Sequence, residues 1–295
     1  MTITHPSTTH PSTIKPTPTL GHAWLPASPC GSFCISGTPP TVSVWRTGVR
    51  MAKAAAVVLV AVVTLPLIVL LPQAAVRRLL QWVCLALLGA FDVRLDLCGD
   101  IEFGTARLGR GALVVNNHVS WLDVIAVNAV RPMRSLAKAE ISKWPVIGPI
   151  TRAAGTIFVD RQRLSTLPGT VATMADTMRS GALVNVCAEG TTWCGVESGQ
   201  FKTAPFQAAI DAGVPVRPIA LSYLMADGTP TTWPAFIGDD TLIDCVRRVA
   251  RLSGLTVEVH VGDEIAPGRA SDRRHLAGLA EAEVTGVLTA TRALD

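Results

Sequence analysis

His118 and Asp123 are the two residues whose types and spacing are best suited to acid–base chemistry. They lie where an apolar run ending at Val115 gives way to polar residues and then to a second apolar-periodic stretch. A neutral imidazole, with an unperturbed pKa near roughly 6.5, can remove the proton of a hydroxyl group as that group attacks a thioester. A neighbouring carboxylate would fix the ring tautomer and stabilise the imidazolium. The pair therefore predicts a general base and its orienting group.

Helix geometry restricts where this pair can lie. Two residues five positions apart on one helix are separated by about 140° around its axis and cannot share a face. We therefore expect His118 to precede the helix, with Ser120 as N-cap and Asp123 at the third helical position, its carboxylate turned back toward the loop. In the alternative interpretation, Asp123 only forms a capping box with Ser120, and His118 is an ordinary loop histidine.

The sequence contains no other signature of a protein nucleophile or a metal-dependent hydrolase. The patterns GxSxG, HExxH, GxxxxGK[ST] and GxGxxG are absent, so an acceptor hydroxyl is the expected nucleophile. Cys187 and Cys194 are candidates for a nucleophilic cysteine, but no second loop histidine pairs with them in an evident pattern. We interpret both as small buried residues.

The chain beyond residue 93 has the pattern of one α/β domain. Short apolar runs alternate with amphipathic stretches, and the runs predict strands at 112–115, 156–159, 183–186, 214–221 and 255–261. This alternation predicts a mixed, largely parallel sheet flanked by helices. Residues 93–295 are therefore expected to form the catalytic domain.

Two further regions precede this domain. Residues 1–50 are rich in Pro, Thr and Ser without hydrophobic periodicity, so we expect a disordered extension, and Met51 is an alternative start. Residues 51–92 contain an uncharged run, Ala54–Val76, and a shorter apolar stretch, Leu79–Phe91. They predict a two-helix membrane anchor, because the first run is long enough to cross most of a hydrocarbon layer about 30 Å thick.

The orientation of this anchor remains open. Basic residues flank the first run on both sides, so a spanning and a re-entrant hairpin are equally compatible with the charge distribution, and a cleaved signal peptide is a further alternative. We expect the anchor to lie in the inner or plasma membrane, with the catalytic domain on the cytoplasmic face.

The composition supports a membrane-associated protein. Charged residues make up only 16% of the chain, against about 25% in an ordinary soluble domain. The net charge is +4 without long Lys/Arg runs, which favours anionic lipid headgroups over nucleic acid as partner. Residues 131–163 contain seven basic and two acidic residues. The seven cysteines are scattered without CxxC spacing, so neither a disulfide framework nor a metal site is expected.

Four ordered blocks give the chain a family resemblance. The segment Asn117–Asp123 (NHVSWLD) resembles the first motif of the 1-acylglycerol-3-phosphate acyltransferase family, whose members share a glycerol-phosphate acyltransferase-like fold. Similar blocks follow in that family's order: Ala137–Glu140 with Pro145 and Gly148, then Gly155–Arg161, Glu189–Thr191 and Val214–Leu221.

The resemblance implies an O-acyltransferase that uses acyl-CoA or acyl-carrier protein as co-substrate, without a cofactor or metal, and a membrane lipid as acceptor. His118 and Asp123 would be the catalytic pair. The residues implied or expected to bind substrate are Asn117, Lys138, Arg161, Glu189, Gly190, Thr191 and Lys202. Arg161 suits this role independently, because it ends a predicted strand and offers a planar fork for phosphate.

The third block departs from the family pattern and leaves the acceptor open. The family sequence Phe-Pro-Glu-Gly-Thr-Arg is here Cys187–Thr192, which lacks the arginine. A charge-assisted hydrogen bond contributes roughly 1.5–3 kcal/mol, so phosphate recognition should weaken unless Lys202 replaces it. We expect 1-acyl-sn-glycerol-3-phosphate as acceptor, giving phosphatidic acid, with another lysolipid such as lyso-ornithine lipid as the alternative. A catalytically silent lipid-binding protein and a thioesterase are the rival functions.

Overall fold

The computed structural model describes residues 25–68, 70–100, 103 and 110–293. Its strands are β1 (Arg94–Gly99), β2 (Ala112–Asn116), β3 (Arg134–Lys138), β4 (Ile157–Val159), β5 (Leu183–Cys187), β6 (Val216–Leu224) and β7 (Thr256–Val261). Its helices are α1 (Val44–Ile68), α2 (Gln73–Phe91), α3 (Leu122–Val130), α4 (Ile147–Ala153), α5 (Leu167–Arg179), α6 (Ala204–Ala212), α7 (Leu242–Arg251) and α8 (Arg273–Ala293).

The described strands form one mixed sheet in the order β1-β7-β6-β2-β5-β3-β4. Every pair of neighbours is parallel except β6 and β7. This confirms the predicted largely parallel sheet with flanking helices. The strands β1 and β3 were not predicted, because neither contains an uninterrupted apolar run: β1 is an edge strand with charged residues, and β3 is only partly buried.

The central strand β2 is buried on both faces, as expected for a parallel strand covered by helices. Its residues alternate between two apolar cores. Val114 packs in the core that contains Leu122 of α3, whereas Leu113 and Val115 pack in the core that contains Phe206 of α6. The helices that follow β2 and β5 therefore lie on opposite faces of the sheet.

This arrangement creates a crevice at the centre of the sheet. The chain leaves β2 through α3 toward β3, and leaves β5 through α6 in the opposite direction toward β6. Because parallel crossovers are right-handed, opposite directions place the two helices on opposite faces and leave space above the carboxyl ends of β2 and β5. Residues 117–120 and 188–190 lie at this position, directly after the two strands.

The helices α1 and α2 form an antiparallel hairpin, and both are long and apolar enough to span a membrane. Much of the α1 surface is exposed and apolar, for example Leu59 (62% exposed), Val63 (65%) and Leu67 (55%). The hairpin begins at Val44, earlier than the predicted boundary at residue 51. The second helix is longer than the predicted apolar stretch, because it begins at Gln73 and includes Arg77 and Arg78.

The structure differs from the predicted disordered extension over residues 25–50. Residues 1–24 lie outside the described part of the chain. Residues 25–43 lie against the α/β domain, and residues 44–50 belong to α1. The Thr232 hydroxyl donates to the Cys34 carbonyl at 2.8 Å, and the Ser253 amide donates to the Pro40 carbonyl at 2.9 Å. Tertiary hydrogen bonds thus order a segment whose own sequence has no periodicity.

Arg50 fixes the base of the hairpin to the domain. Its buried guanidinium donates to the carbonyl oxygens of Ala250 and Leu252 at 3.1 and 2.5 Å, and pairs with Asp92 at 2.9 Å. Asp92 is the left-handed residue that ends α2. The contact therefore joins both ends of the hairpin to the end of α7.

We predict that Arg50→Ala destabilises the protein, because it leaves two buried carbonyl groups without a donor. A loss of about 1.5–3 kcal/mol should lower the unfolding temperature in detergent micelles by roughly 3–12 °C. Arg46→Ala, one helical turn earlier at an exposed position, is the matched control and should unfold at the wild-type temperature. Equal unfolding temperatures for both variants would contradict the proposed anchor.

Candidate active site

The structure brings His118 and Asp123 into direct contact. The Nδ1 atom of His118 lies 2.8 Å from Oδ2 of Asp123. Asp123 is fully buried, whereas the His118 side chain remains 23% exposed. The ring therefore has one nitrogen on a buried carboxylate, and part of the ring remains accessible to solvent.

Asp123 also organises the loop that carries the histidine. Its Oδ2 atom accepts hydrogen bonds from the backbone amides of Val119 and Ser120 at 2.7 and 2.9 Å. The prediction that Ser120 caps the helix is wrong: α3 begins at Leu122 without a side-chain cap, and Asp123 is the second helical residue. The predicted backward turn of the Asp123 carboxylate is nevertheless present, because this carboxylate accepts from two amides of the loop that precedes the helix.

Tyr223 is a partner of this pair that the sequence interpretation missed. Its hydroxyl donates to Oδ1 of Asp123 at 2.6 Å from a buried position on β6, 100 residues along the chain. Burial, with the adjacent Asp123 carboxylate, raises the pKa of Tyr223 well above its usual value, so the phenol remains a donor. It is the only tyrosine in the sequence, and this was the one feature by which the sequence could have drawn attention to it.

The surroundings of His118 favour its protonated form. Burial lowers the pKa of the ring, but the Cys187 sulfur and the Asp123 carboxylate outweigh it and raise the pKa above 6.5. Cys187, at the end of β5, lies within hydrogen-bonding range of the ring and is partly exposed. It is therefore not simply a small buried residue, as the sequence had suggested.

Asn117 and Glu189 were expected to bind substrate, and the structure shows other partners for both. Asn117 exchanges two hydrogen bonds of 2.8 and 2.9 Å with the backbone of Leu221 on β6. The buried Glu189 accepts from the backbone amides of His118 at 2.5 Å and Gly199 at 2.7 Å. Both side chains thus hold the His118 loop in place, and their polar atoms are used within the protein.

Glu189 is also perturbed electrostatically. Burial raises the pKa of its carboxyl group to about 7, although the two amide hydrogen bonds and the charge of His118 act in the opposite direction. A carboxylate at this position supports positive charge on the neighbouring imidazole.

Arg161 and Lys138 lie near the His118 side of the site, at the carboxyl ends of β4 and β3. Burial and the proximity of Arg161 lower the pKa of Lys138, and burial lowers the pKa of Arg161 against the opposing influence of Cys187 and Glu140. Among the described residues, neither cation forms a side-chain hydrogen bond or ion pair. Asp160, the acidic neighbour of Arg161 in the sequence, instead lies 3.9 Å from Arg163. Two close, unpaired cations form a suitable site for an anionic group.

The third-motif loop places its residues beside this site. Gly190 has a positive φ of 79°, and a side chain there would collide with Pro26 and approach the stem of Lys202. Lys202 is exposed, and its backbone amide donates to the Ala188 carbonyl at 2.8 Å. Thr191 is partly exposed on the same loop. Thr192, which replaces the family arginine, donates its hydroxyl to the Phe236 carbonyl.

We predict that the His118 ring titrates above pH 6.5 and that Cys187→Ala moves its midpoint to lower pH. The sulfur can accept a hydrogen bond from the imidazolium, so its removal destabilises the charged form. The measurement is an NMR titration of histidine ring signals in micelles. Cys98→Ala, in β1, is the control and should leave the midpoint unchanged. An unshifted midpoint in Cys187→Ala would contradict the assignment.

Known proteins resemble this chain in sequence. The family model described as Acyltransferase matches residues 102–222. A lyso-ornithine lipid O-acyltransferase from Pseudomonas aeruginosa is 32% identical over 226 residues, which cover 74% of this chain and 81% of that protein. A 1-acyl-sn-glycerol-3-phosphate acyltransferase from Neisseria gonorrhoeae is 38% identical over 149 residues, which cover 50% of this chain and 58% of that protein.

A solved structure shows the same fold. The crystal structure of the 1-acyl-sn-glycerophosphate acyltransferase PlsC from Thermotoga maritima superposes with a TM-score of 0.62, covering 84% of this chain and 98% of that one, at 16% identity. With the extended similarity to the Pseudomonas protein, these findings confirm the predicted family: the chain belongs to the acyltransferase family that includes the 1-acyl-sn-glycerol-3-phosphate and lyso-ornithine lipid acyltransferases.

Proposed function

We propose that this protein transfers a fatty acyl group from an acyl-CoA or acyl-carrier protein thioester to a hydroxyl of a membrane lysolipid. The observation that carries the proposal is the contact between His118 Nδ1 and the fully buried Asp123, on a partly exposed ring at the carboxyl edge of the sheet. Family membership supports the same reaction class.

We infer the roles of the two ring nitrogens from the contact with Asp123. Asp123 accepts a hydrogen bond from Nδ1–H, which would leave Nε2 as the base. The surroundings that raise the pKa of His118 shift this neutral, basic form to higher pH, so turnover should rise as the pH rises through that pKa. Nε2 takes the acceptor hydroxyl proton while that oxygen attacks the thioester carbonyl carbon. The carbon–sulfur bond then breaks, and the leaving thiolate receives the proton from the imidazolium. Each cycle forms one ester and one thiol and regenerates neutral His118.

Arg161 and Lys138 are proposed to bind the anionic headgroup of the acceptor, with Lys202, Gly190 and Thr191 at its edge. A polar cleft follows the same ends of β3 and β4, although neither Arg161 nor Lys138 lines it. It is lined by Ala139, Glu140, Lys143, Asp160, Gln162 and Arg163. A phosphate or carboxylate of the acceptor, bound by Arg161 and Lys138, would offset the repulsion between these two cations.

We propose 1-acyl-sn-glycerol-3-phosphate as the first acceptor, and lyso-ornithine lipid as the second candidate. The second candidate is favoured by Thr192. Its hydroxyl is used on Phe236 at the position where the family carries a phosphate-binding arginine. A headgroup with a single carboxylate needs fewer cationic partners than a phosphate monoester.

The hairpin of α1 and α2 is proposed to hold the enzyme on the inner or plasma membrane, with the site on the cytoplasmic face. Trp144 (41% exposed) and Val146 (43%) precede α4, which packs against α1. They would extend the lipid-facing surface of the hairpin toward Lys143 and the cleft that Lys143 lines. The acceptor could then reach His118 directly from the bilayer.

We predict that His118→Ala lowers kcat by at least about 10²–10⁴-fold, because general-base catalysis contributes roughly that factor. Turnover is measured as thiol release from acyl-CoA and acyl-carrier protein over a panel of lysolipids. His275→Ala, at an exposed position of α8, is the control and should retain activity. Full turnover by His118→Ala with native circular dichroism would exclude the mechanism. Thiol release without any acceptor would indicate a thioesterase. If the wild-type protein releases no thiol with any acceptor, it would be a lipid-binding protein.

We predict that Arg161→Ala raises KM for the acceptor by about 10–100-fold while KM for the acyl donor is unchanged. This range corresponds to the loss of roughly 1.5–3 kcal/mol from one charge-assisted interaction. Arg274→Ala removes an exposed arginine on α8, away from the proposed site, and should leave both constants near the wild-type values. A larger effect on the donor than on the acceptor would place the headgroup site elsewhere.

A further inference from the structure

The fold brings together three cysteines that are far apart in the sequence. Cys30 and Cys34 lie in the segment 25–43. Cys34 is the last residue of a short 3-10 helix, Ser32–Cys34, and Cys30 precedes that helix. Cys194 follows the loop that contains Glu189. Their three sulfur atoms all lie within 4.8 Å of one another, with Cys30 and Cys194 buried and Cys34 partly exposed. The spacing of these residues in the sequence had predicted no metal site.

We propose that Cys30, Cys34 and Cys194 bind a thiophilic metal ion, with Zn²⁺ as the expected occupant. A zinc–sulfur bond is about 2.3 Å long, so two sulfurs of a tetrahedral site lie about 3.8 Å apart. The observed cluster reaches this spacing if its sulfurs move inward by no more than about 1 Å. Three protein ligands leave a fourth position for water on the partly exposed Cys34 side.

Backbone amides directed at the sulfurs provide a second observation. The Cys194 amide lies 3.3 Å from Sγ of Cys30, and the Glu197 amide lies 3.4 Å from Sγ of Cys194. Such outer-shell hydrogen bonds stabilise the negative charge of metal-bound thiolates. The cluster therefore has both the ligand atoms and the donors that a thiolate site requires.

The position of the cluster gives the ion a bracing role for the proposed active site. Trp193, next to Cys194, donates its backbone amide to the His118 carbonyl at 2.7 Å. In the same segment as Cys30, Pro26 lies against Gly190. A bound ion would join the N-terminal segment to the loop that supports His118, without contact with the reacting atoms.

The test uses the full-length protein in detergent, kept reduced with a phosphine and stripped with a chelator. Zn²⁺ is titrated against a chromophoric competitor, and Co²⁺ is added separately to detect thiolate-to-metal charge-transfer absorption. We expect one ion per chain, the charge-transfer band, and a higher unfolding temperature with Zn²⁺. Cys34→Ser and Cys194→Ser should each weaken binding by at least the roughly 10–100-fold that loss of an outer-shell partner costs.

Cys98→Ser, which removes a thiol in β1 outside the cluster, is the control and should bind as wild type. Cys34→Ser also serves as the variant that keeps the fold, because its side chain is partly exposed. Binding of unchanged affinity in both cluster variants would overturn the proposal. It would also be overturned by the absence of the charge-transfer band, or by mass-spectrometric detection of a disulfide between two of the three cysteines in the native protein. None of these three outcomes depends on acyl transfer, so the metal site and the proposed function fail separately.

Discussion

The buried carboxylate of Asp123 is the interaction on which the site depends. It receives hydrogen bonds from the His118 ring, from the amides of Val119 and Ser120, and from the Tyr223 hydroxyl. A buried charge is costly unless its oxygens are fully paired. Four donors from a loop and a distant strand meet this requirement, and in doing so they fix the loop, the start of α3 and the ring orientation together. The loop therefore has one well-determined conformation.

The sheet supplies the second constraint. Because β2 and β5 are adjacent and the chain leaves them in opposite directions, the residues that follow both strands meet in one crevice. Asn116 and Cys187 are paired in register at the two carboxyl ends. Two motifs separated by about seventy residues thus become neighbours, and Glu189 connects them through the backbone of His118. The order of motifs in the sequence reflects this strand arrangement.

Continuous apolar runs predicted the central strands and the sheet class, because a strand covered on both faces must be apolar throughout. The half-exposed strands β1 and β3 contain no such run. They can be identified only from the strands with which they pair in the folded sheet. The same limit applies to the site. The ordered motif blocks identified His118 and Asp123, whereas Tyr223 and Cys187 meet them only through the tertiary fold. Glu189 was recognised as part of the third motif, but its hydrogen bonds with the amides of His118 and Gly199 could not be predicted from the sequence.

The contact of Arg50 with Ala250, Leu252 and Asp92 has a consequence for how lipids exchange with the enzyme. If the hairpin lies in the membrane as proposed, its fixed contact with the domain would also fix the distance of the imidazole from the bilayer, and the lipid would have to move out of the bilayer to reach the ring. Each methylene withdrawn from the hydrocarbon costs about 0.8 kcal/mol, and a single-chained lipid is withdrawn more cheaply than a double-chained one. In the proposed reaction, attachment of a second chain would roughly double the free energy that favours return of the lipid to the membrane, so acylation would itself favour the departure of the product.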